Sequence, residues 1–206
     1  MGVCTFTFDD GPHPEWTPRV LAELDRCDVR ATFFVVGEHV ELAAGLARTI
    51  VDRGHDVELH CHRHIRHIDL TDRELREDTV AALAAFARAG LPRPTRWRAP
   101  WGICTEATER VATELELELV RWSADTHDWR GDASAEMLEA VDAEIEDGAI
   151  VLMHDGLGPG ALRAGVGETV ELIGSLSELA QERGLRMLPL SLASPARAGT
   201  GLGTPT

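Results

Sequence analysis

Tyrosine is absent from this chain, and aromatic residues make up only 5% of it. Such a shortage can mark disorder, but 44% apolar residues against 27% charged ones supply enough material to bury a core and fold alone. Basic runs are also missing. With 20 Lys and Arg against 35 Asp and Glu the net charge is −15, and no Lys/Arg cluster could follow a phosphate backbone, which argues against nucleic acid and anionic membrane as partners. The acidity favours solubility or cationic ligands, and a generally acidic surface accounts for it better than a binding role. No apolar run approaches the roughly 20 residues of a membrane span, and no basic, apolar leader separates Met1 from the first strand-like segment. The expected location is therefore cytoplasmic; a leader upstream of Val3 would make it extracellular or cell-wall instead. The cysteines, Cys4, Cys27, Cys61 and Cys104, lack C-x-x-C spacing, which argues against a disulfide framework and a thiolate zinc site and reads as reduced thiols. A length of 206 residues fits one domain and excludes a second catalytic one.

What is present is an alternation of short apolar runs with helix-period segments. Strands are predicted over 3–8, 31–36, 56–60, 95–98, 118–122, 149–153 and 186–190. Helices are predicted over 17–27, with Thr17 as N-cap before Pro18, over 38–53 as one continuous helix, and over 71–89 behind the capping-box pattern Thr71-Asp72-Arg73-Glu74. Further helices are predicted over 105–115, 134–147 and 167–183. Seven β–α repeats with buried strands imply an α/β fold around a parallel sheet, open or closed as a barrel lacking one strand. A single domain is expected over 1–192, followed by an aperiodic, disordered tail over 193–206.

Polar residues cluster where these strands end. The first strand runs into Asp9-Asp10-Gly11-Pro12, and the third into His60-Cys61-His62-Arg63-His64 with His67 beyond. Imidazoles at this density need partners, and a metal supplies them economically. If the chain turns at His60, residues four apart share one face and His60 and His64 bind one ion, with His62 pointing away. If it stays extended, His60, His62 and His64 form a three-His site. Two histidines with a carboxylate from the first strand are preferred. Arg98-Ala99-Pro100-Trp101-Gly102, Asp125-Thr126-His127-Asp128-Trp129 and Leu152-Met153-His154-Asp155 complete five clusters, each with an ordinary structural explanation when taken singly. All five fall at the carboxyl ends of predicted parallel strands, the edge where α/β folds assemble sites.

The segments Thr7-Phe8-Asp9-Asp10-Gly11-Pro12, His60-x-x-x-His64, Arg98-x-Pro100-x-Gly102, Asp125-x-x-Asp128-Trp129 and Leu152-x-His154 stand in the order of five family motifs. The chain thereby resembles the polysaccharide deacetylase (NodB-homology) family, carbohydrate esterase family 4, from Val3 to about Leu190. The resemblance implies a distorted (β/α) barrel, often of seven strands, and a metal-dependent hydrolase removing acetyl groups from N-acetylated or, less often, O-acetylated sugars. It implies Asp10, His60 and His64 as ligands of one divalent ion, zinc first, with cobalt, nickel or manganese as substitutes. Asp9 would be the general base, paired with Arg98, and His154 the general acid, oriented by Asp125. The Trp101 backbone N–H would face the oxyanion, and Pro100, Trp101, Trp129 and Leu152 would line the substrate.

Departures mark where the transfer weakens. Cys61 replaces the usual Ser or Thr after the first metal histidine, and it reads as a buried inert thiol ahead of an extra ligand or an oxidation-sensitive site. Trp101 replaces the usual Tyr, keeping the backbone donor but enlarging the wall. His62 and His67 are additional and read first as surface residues, ahead of supporting groups or ligands of a second metal. His13 belongs to the substrate mouth or to an exposed loop. The expected substrates are N-acetylglucosamine-containing saccharides of chitooligosaccharide, chitin or peptidoglycan type. The alternative is an intracellular small-molecule amide hydrolase, deacetylating or deformylating an amino sugar or biosynthetic intermediate. Two His and a carboxylate also describe the facial site of non-haem iron oxygenases, but those do not require the Asp9–Arg98 and Asp125–His154 pairs. A silent carbohydrate-binding relative would lose Asp9, a ligand or His154, and none is lost.

Overall fold

The structure, a computed structural model, describes residues 2–193, so the expected tail beyond Ala193 lies outside the described residues. Strand β1 (Gly2–Asp9) lies at the centre of the sheet, between β2 (Thr32–Val36) and β7 (Ile150–His154). The sheet continues through β3 (Asp56–Cys61), β4 (Arg96–Trp97) and β5 (Glu118–Leu119) on one side and β6 (Ala124–Asp125) on the other, in the order β5-β4-β3-β2-β1-β7-β6. Every pairing is parallel. An eighth short strand, β8 (Leu185–Met187), joins the start of β1 at Gly2–Cys4. This is the expected distorted (β/α) barrel.

The region predicted as one strand over 118–122 breaks in two because it changes partners. Val120 N–H donates to Trp97 O at 2.9 Å, whereas Ser123 N–H donates to Ile150 O at 3.0 Å. Within three residues the chain crosses from the β4 side to the β7 side and draws the two ends of the sheet together. The seven-strand path thus includes Ala124–Asp125, which no sequence run announced.

Alternation along the strands positions the site. Phe6 and Phe8, Val57 and Leu59, and Val151 and Met153 belong to the apolar core. Successive side chains in a strand point to opposite faces. Thr7 and Asp9, Glu58 and His60, and Leu152 and His154 therefore share the other face, the barrel interior. Asp9 registers with Phe34 on β2 and with His154 on β7, so groups from three strands meet at one end.

Helices α1 (Trp16–Arg26), α2 (Gly37–Leu42), α3 (Ala44–Asp52), α4 (Asp72–Ala89), α5 (Glu106–Glu114), α6 (Ser134–Val141) and α7 (Gly167–Glu182) surround the sheet. The capping box of α4 forms as predicted: Thr71 Oγ1 accepts the Glu74 N–H at 3.3 Å, and the Thr71 N–H donates to Glu74 Oε2 at 2.9 Å. Thr17 is not an N-cap. It lies inside α1, and its hydroxyl donates to Asp155. The predicted continuous helix over 38–53 breaks at Ala43. His39 of α2 is tied to the Asp10 carbonyl, while Ala47 and Ile50 of α3 turn into the core, and one straight helix would not serve both. Among the described residues, no helix is long and apolar enough to cross a membrane.

Candidate active site

At the end of β1 the backbone turns sharply at Asp10, whose φ of 75° lies in the left-handed region that Asp tolerates better than most residues. This sends the Asp10 carboxylate over the barrel mouth, while Asp9 keeps its strand direction into the interior. His39 Nδ1–H donates to the Asp10 carbonyl at 2.8 Å and fixes the turn. On β3, His60 Nδ1–H donates to Arg98 O at 2.7 Å, so Nε2 carries the lone pair and faces the mouth. The chain then leaves the strand, bringing His64 Nε2 within 3.2 Å of His60 Nε2.

Asp10, His60 and His64 each place a ligand atom within 4.8 Å of the others. Asp10 Oδ1 is 3.5 Å from His60 Nε2 and 3.0 Å from His64 Nε2, yet it is buried without a hydrogen-bond partner. A buried carboxylate oxygen facing two imidazole nitrogens, with the opposite nitrogen of one ring already spent on a carbonyl, fits a divalent cation. Burial works to raise the Asp10 carboxyl, but the His60 and His64 imidazoles beside it and the charge of His154 hold it well below the usual range.

The three-His geometry does not form. His62 points elsewhere, its Nδ1 packed against Gly37. Asp78 of α4 organises the loop instead, its buried carboxylate accepting the His62 N–H at 2.9 Å, the Arg63 N–H at 3.2 Å and Arg63 Nε–H at 3.0 Å. Cys61 is buried, and burial, with Asp78 and Asp10 adding, pushes its thiol well above the usual value. The surface reading of His67 is overturned: it is 2% exposed, bonded through Nδ1 to Thr108 Oγ1 at 2.9 Å and packed on Trp97, and burial lowers it to about 4. His13 is half-buried and supports α1, its Nδ1 accepting the Glu15 and Trp16 N–H groups.

Asp9 meets Arg98 inside the barrel. The guanidinium is completely buried; its NH1 donates to Asp9 Oδ1 at 2.9 Å and to Thr7 Oγ1 at 2.7 Å, and Phe34 lies against it at 4.2 Å. Burial lowers the Arg98 pKa and Asp9 opposes the shift, so the two charges stabilise one another in a low-dielectric site.

Across the register from Asp9, His154 Nδ1–H donates to Asp128 Oδ1 at 2.6 Å, and the His154 N–H donates to Asp128 Oδ2 at 3.0 Å. The orienting carboxylate is thus Asp128, and the expectation that Asp125 would fill this place is corrected. Asp125 accepts the His127 N–H at 2.9 Å and opens a turn. His127 then adopts a left-handed conformation, and the short 3₁₀ turn Asp128–Arg130 carries the next carboxylate to His154. Asp128 also accepts from Arg163 NH1 and Thr169 Oγ1, both at 2.8 Å. Burial disfavours charge on His154, but Asp128, helped by Asp10 and Asp9, raises its pKa to about 9.

Pro100 and Leu152 are buried, Trp129 is half-buried and Trp101 is exposed. Trp101 takes a left-handed backbone with φ of 54°, and its ring packs edge-on against His64 with centroids 4.3 Å apart. Arg66 stacks over the same indole at 4.9 Å. Residues missed by sequence reasoning are Asp78, Arg163 and Thr169, which carry no spacing signal, and the role of Asp128, which stands in the same motif as Asp125.

The polysaccharide deacetylase family model matches residues 2–120. A chitooligosaccharide deacetylase of Bradyrhizobium sp. (strain ANU 289) is 37% identical over 193 residues, spanning 89% of this chain and 87% of that protein. A peptidoglycan-N-acetylglucosamine deacetylase of Listeria monocytogenes serotype 1/2a (strain 10403S) is 38% identical over 150 residues, spanning 72% of this chain but 31% of that longer protein. Among solved structures, a family 4 carbohydrate esterase from Streptomyces lividans in complex with acetate aligns with a TM-score of 0.81 and 27% identity, over 90% of this chain and 91% of that one. With a family match over more than half its length and similarity extending across the barrel, the chain belongs to the polysaccharide deacetylase family.

Proposed function

We propose that this protein is a metal-dependent N-deacetylase of N-acetylglucosamine-containing saccharides of chitooligosaccharide, chitin or peptidoglycan type. The observation that carries the reading is that two paired ionisable groups, Asp9 with Arg98 and His154 with Asp128, stand at the same strand ends as the Asp10–His60–His64 cluster. Asp10, His60 and His64 would hold the ion, with zinc the first choice for two imidazoles and a carboxylate. A divalent ion in this place supplies Lewis acidity and a water of lowered pKa, towards roughly 7 for zinc.

Asp9, paired with and aimed by Arg98, takes a proton from the attacking water as the C–O bond forms. His154, charged at neutral pH, gives its proton to the amide nitrogen as the C–N bond breaks, because an expelled amide anion is too basic to leave unassisted. The Trp101 N–H donates to the developing oxyanion. Pro100, Leu152, Trp101 and Trp129 bound the acetyl group and the sugar.

The test is acetate release from N-acetylglucosamine oligomers of increasing length by the zinc-reconstituted protein. Chelator-sensitive release of acetate, matched one for one by free amine on the sugar, supports the reading. A protein that binds one zinc per chain but frees no acetate from any oligomer refutes the saccharide assignment.

A further inference from the structure

Immediately after His154 the chain continues as Asp155-Gly156-Leu157-Gly158, and this segment packs against the turn that carries Asp10. Asp155 is fully buried; its N–H donates to Asp9 O at 3.2 Å. Its carboxylate accepts the Thr17 hydroxyl, which in turn accepts the His13 N–H at 2.7 Å. The carboxylate fills the space beside Gly11, where a β-carbon would stand 2.2 Å from Oδ2 and 2.4 Å from Oδ1. The fit then reverses. A β-carbon on Gly156 would lie 2.5 Å from the Asp10 carbonyl oxygen, and one on Gly158 would lie 2.2 Å from Asp10 Oδ2.

None of these three glycines has a positive φ, so close approach rather than backbone conformation demands glycine. Asp10 is consequently held from both ends. Gly158 crowds Oδ2, while Oδ1 is left facing the Nε2 atoms of His60 and His64.

We propose that Asp155-Gly156-Leu157-Gly158 is a positioning clamp that fixes the orientation of the Asp10 carboxylate, one oxygen against Gly158 and the other toward the two histidines, and thereby sets the affinity of the site for a divalent ion. The proposal rests on the reading of Asp10, His60 and His64 as metal ligands. It also links the flanks of the site, because the clamp is the direct continuation of the strand that presents His154.

The experiment is a zinc titration of the full chain against a competing chelator, with the cobalt(II) absorption spectrum recording ligand geometry. Groups that orient a ligand typically change metal affinity about 10–100-fold, so Gly158→Ala and Asp155→Ala are expected to weaken zinc binding at least tenfold and alter the cobalt spectrum. Asp155→Asn keeps the shape and the acceptor for Thr17 and is expected to stay within about threefold of wild type. Gly167→Ala, at a glycine whose added β-carbon would touch nothing within 4 Å, is the control and is expected to leave affinity unchanged. Wild-type zinc affinity in both Gly158→Ala and Asp155→Ala would overturn the clamp, as would Asp155→Asn weakening as much as Asp155→Ala. If Gly158→Ala fails to fold, Thr17→Val carries the test with Asp155→Ala: it removes the hydroxyl donor at similar volume, and undiminished affinity in both overturns the proposal. A zinc affinity insensitive to His64→Ala is a different failure, since it removes the metal reading itself.

Discussion

His60 and His64 are four positions apart in sequence, whereas His154 depends on Asp128, which lies 26 positions away and is itself held by Arg163 and Thr169 from 35 and 41 positions away. On the proposed metal side only the two imidazoles are near neighbours in the chain; Asp10 joins them from the end of β1, and backbone contacts stiffen the set: His60 on the Arg98 carbonyl, His39 on the Asp10 carbonyl, and loop N–H groups on Asp78. The acid side is a network of buried charges. One flank is therefore sensitive to where atoms sit, and the other to how many charges share a small dry volume.

Two neighbouring carboxylates on the acid side differ most in their expected effect. Asp128→Asn removes the negative partner of His154 and is expected to lower kcat about 100-fold, whereas Asp125→Asn disturbs a turn and a charge that acts on Arg98, and is expected to cost less than about tenfold. Zinc content should be unchanged in both. Steady-state kinetics on the two variants decides the matter, and equal losses would mean that Asp125 also acts on the acid.

A smaller effect concerns pH. His154 is raised from its ordinary 6.5 to about 9, chiefly because Asp128 outweighs the cost of burial. A group with a raised folded pKa contributes stability that is fully present below its unfolded value and is lost as pH rises through the folded one. The contribution of the His154–Asp128 pair should accordingly fade between about pH 6.5 and pH 9, and acid-dependent turnover should fall along the upper part of that range. Urea unfolding of wild type and His154→Gln across this window measures it. A stability difference that does not shrink with rising pH would mean that the His154–Asp128 pair carries no net charge interaction.

Much of the barrel is legible in the sequence because strand alternation is local: Phe6 and Phe8 against Thr7 and Asp9, Val151 and Met153 against Leu152 and His154. The metal cluster is legible for the same reason, through one turn of chain between His60 and His64. Asp128 is harder to distinguish from Asp125, since both are carboxylates in one motif and only the left-handed His127 between them determines which reaches His154. His67 looks like a surface residue in a polar stretch until Thr108 and Trp97, far along the chain, enclose it. The split of the strand predicted over 118–122 follows from a change of partners, from Trp97 to Ile150, to which local propensity is blind.

The proposed mechanism divides two tasks between adjacent residues at the end of β1, with Asp10 holding the ion and Asp9 moving the proton. Zinc stoichiometry and acetate release measured together on Asp9→Asn test it most directly. One zinc per chain with turnover abolished is the expected result; loss of zinc, or activity close to wild type, would mean that the two roles are misplaced.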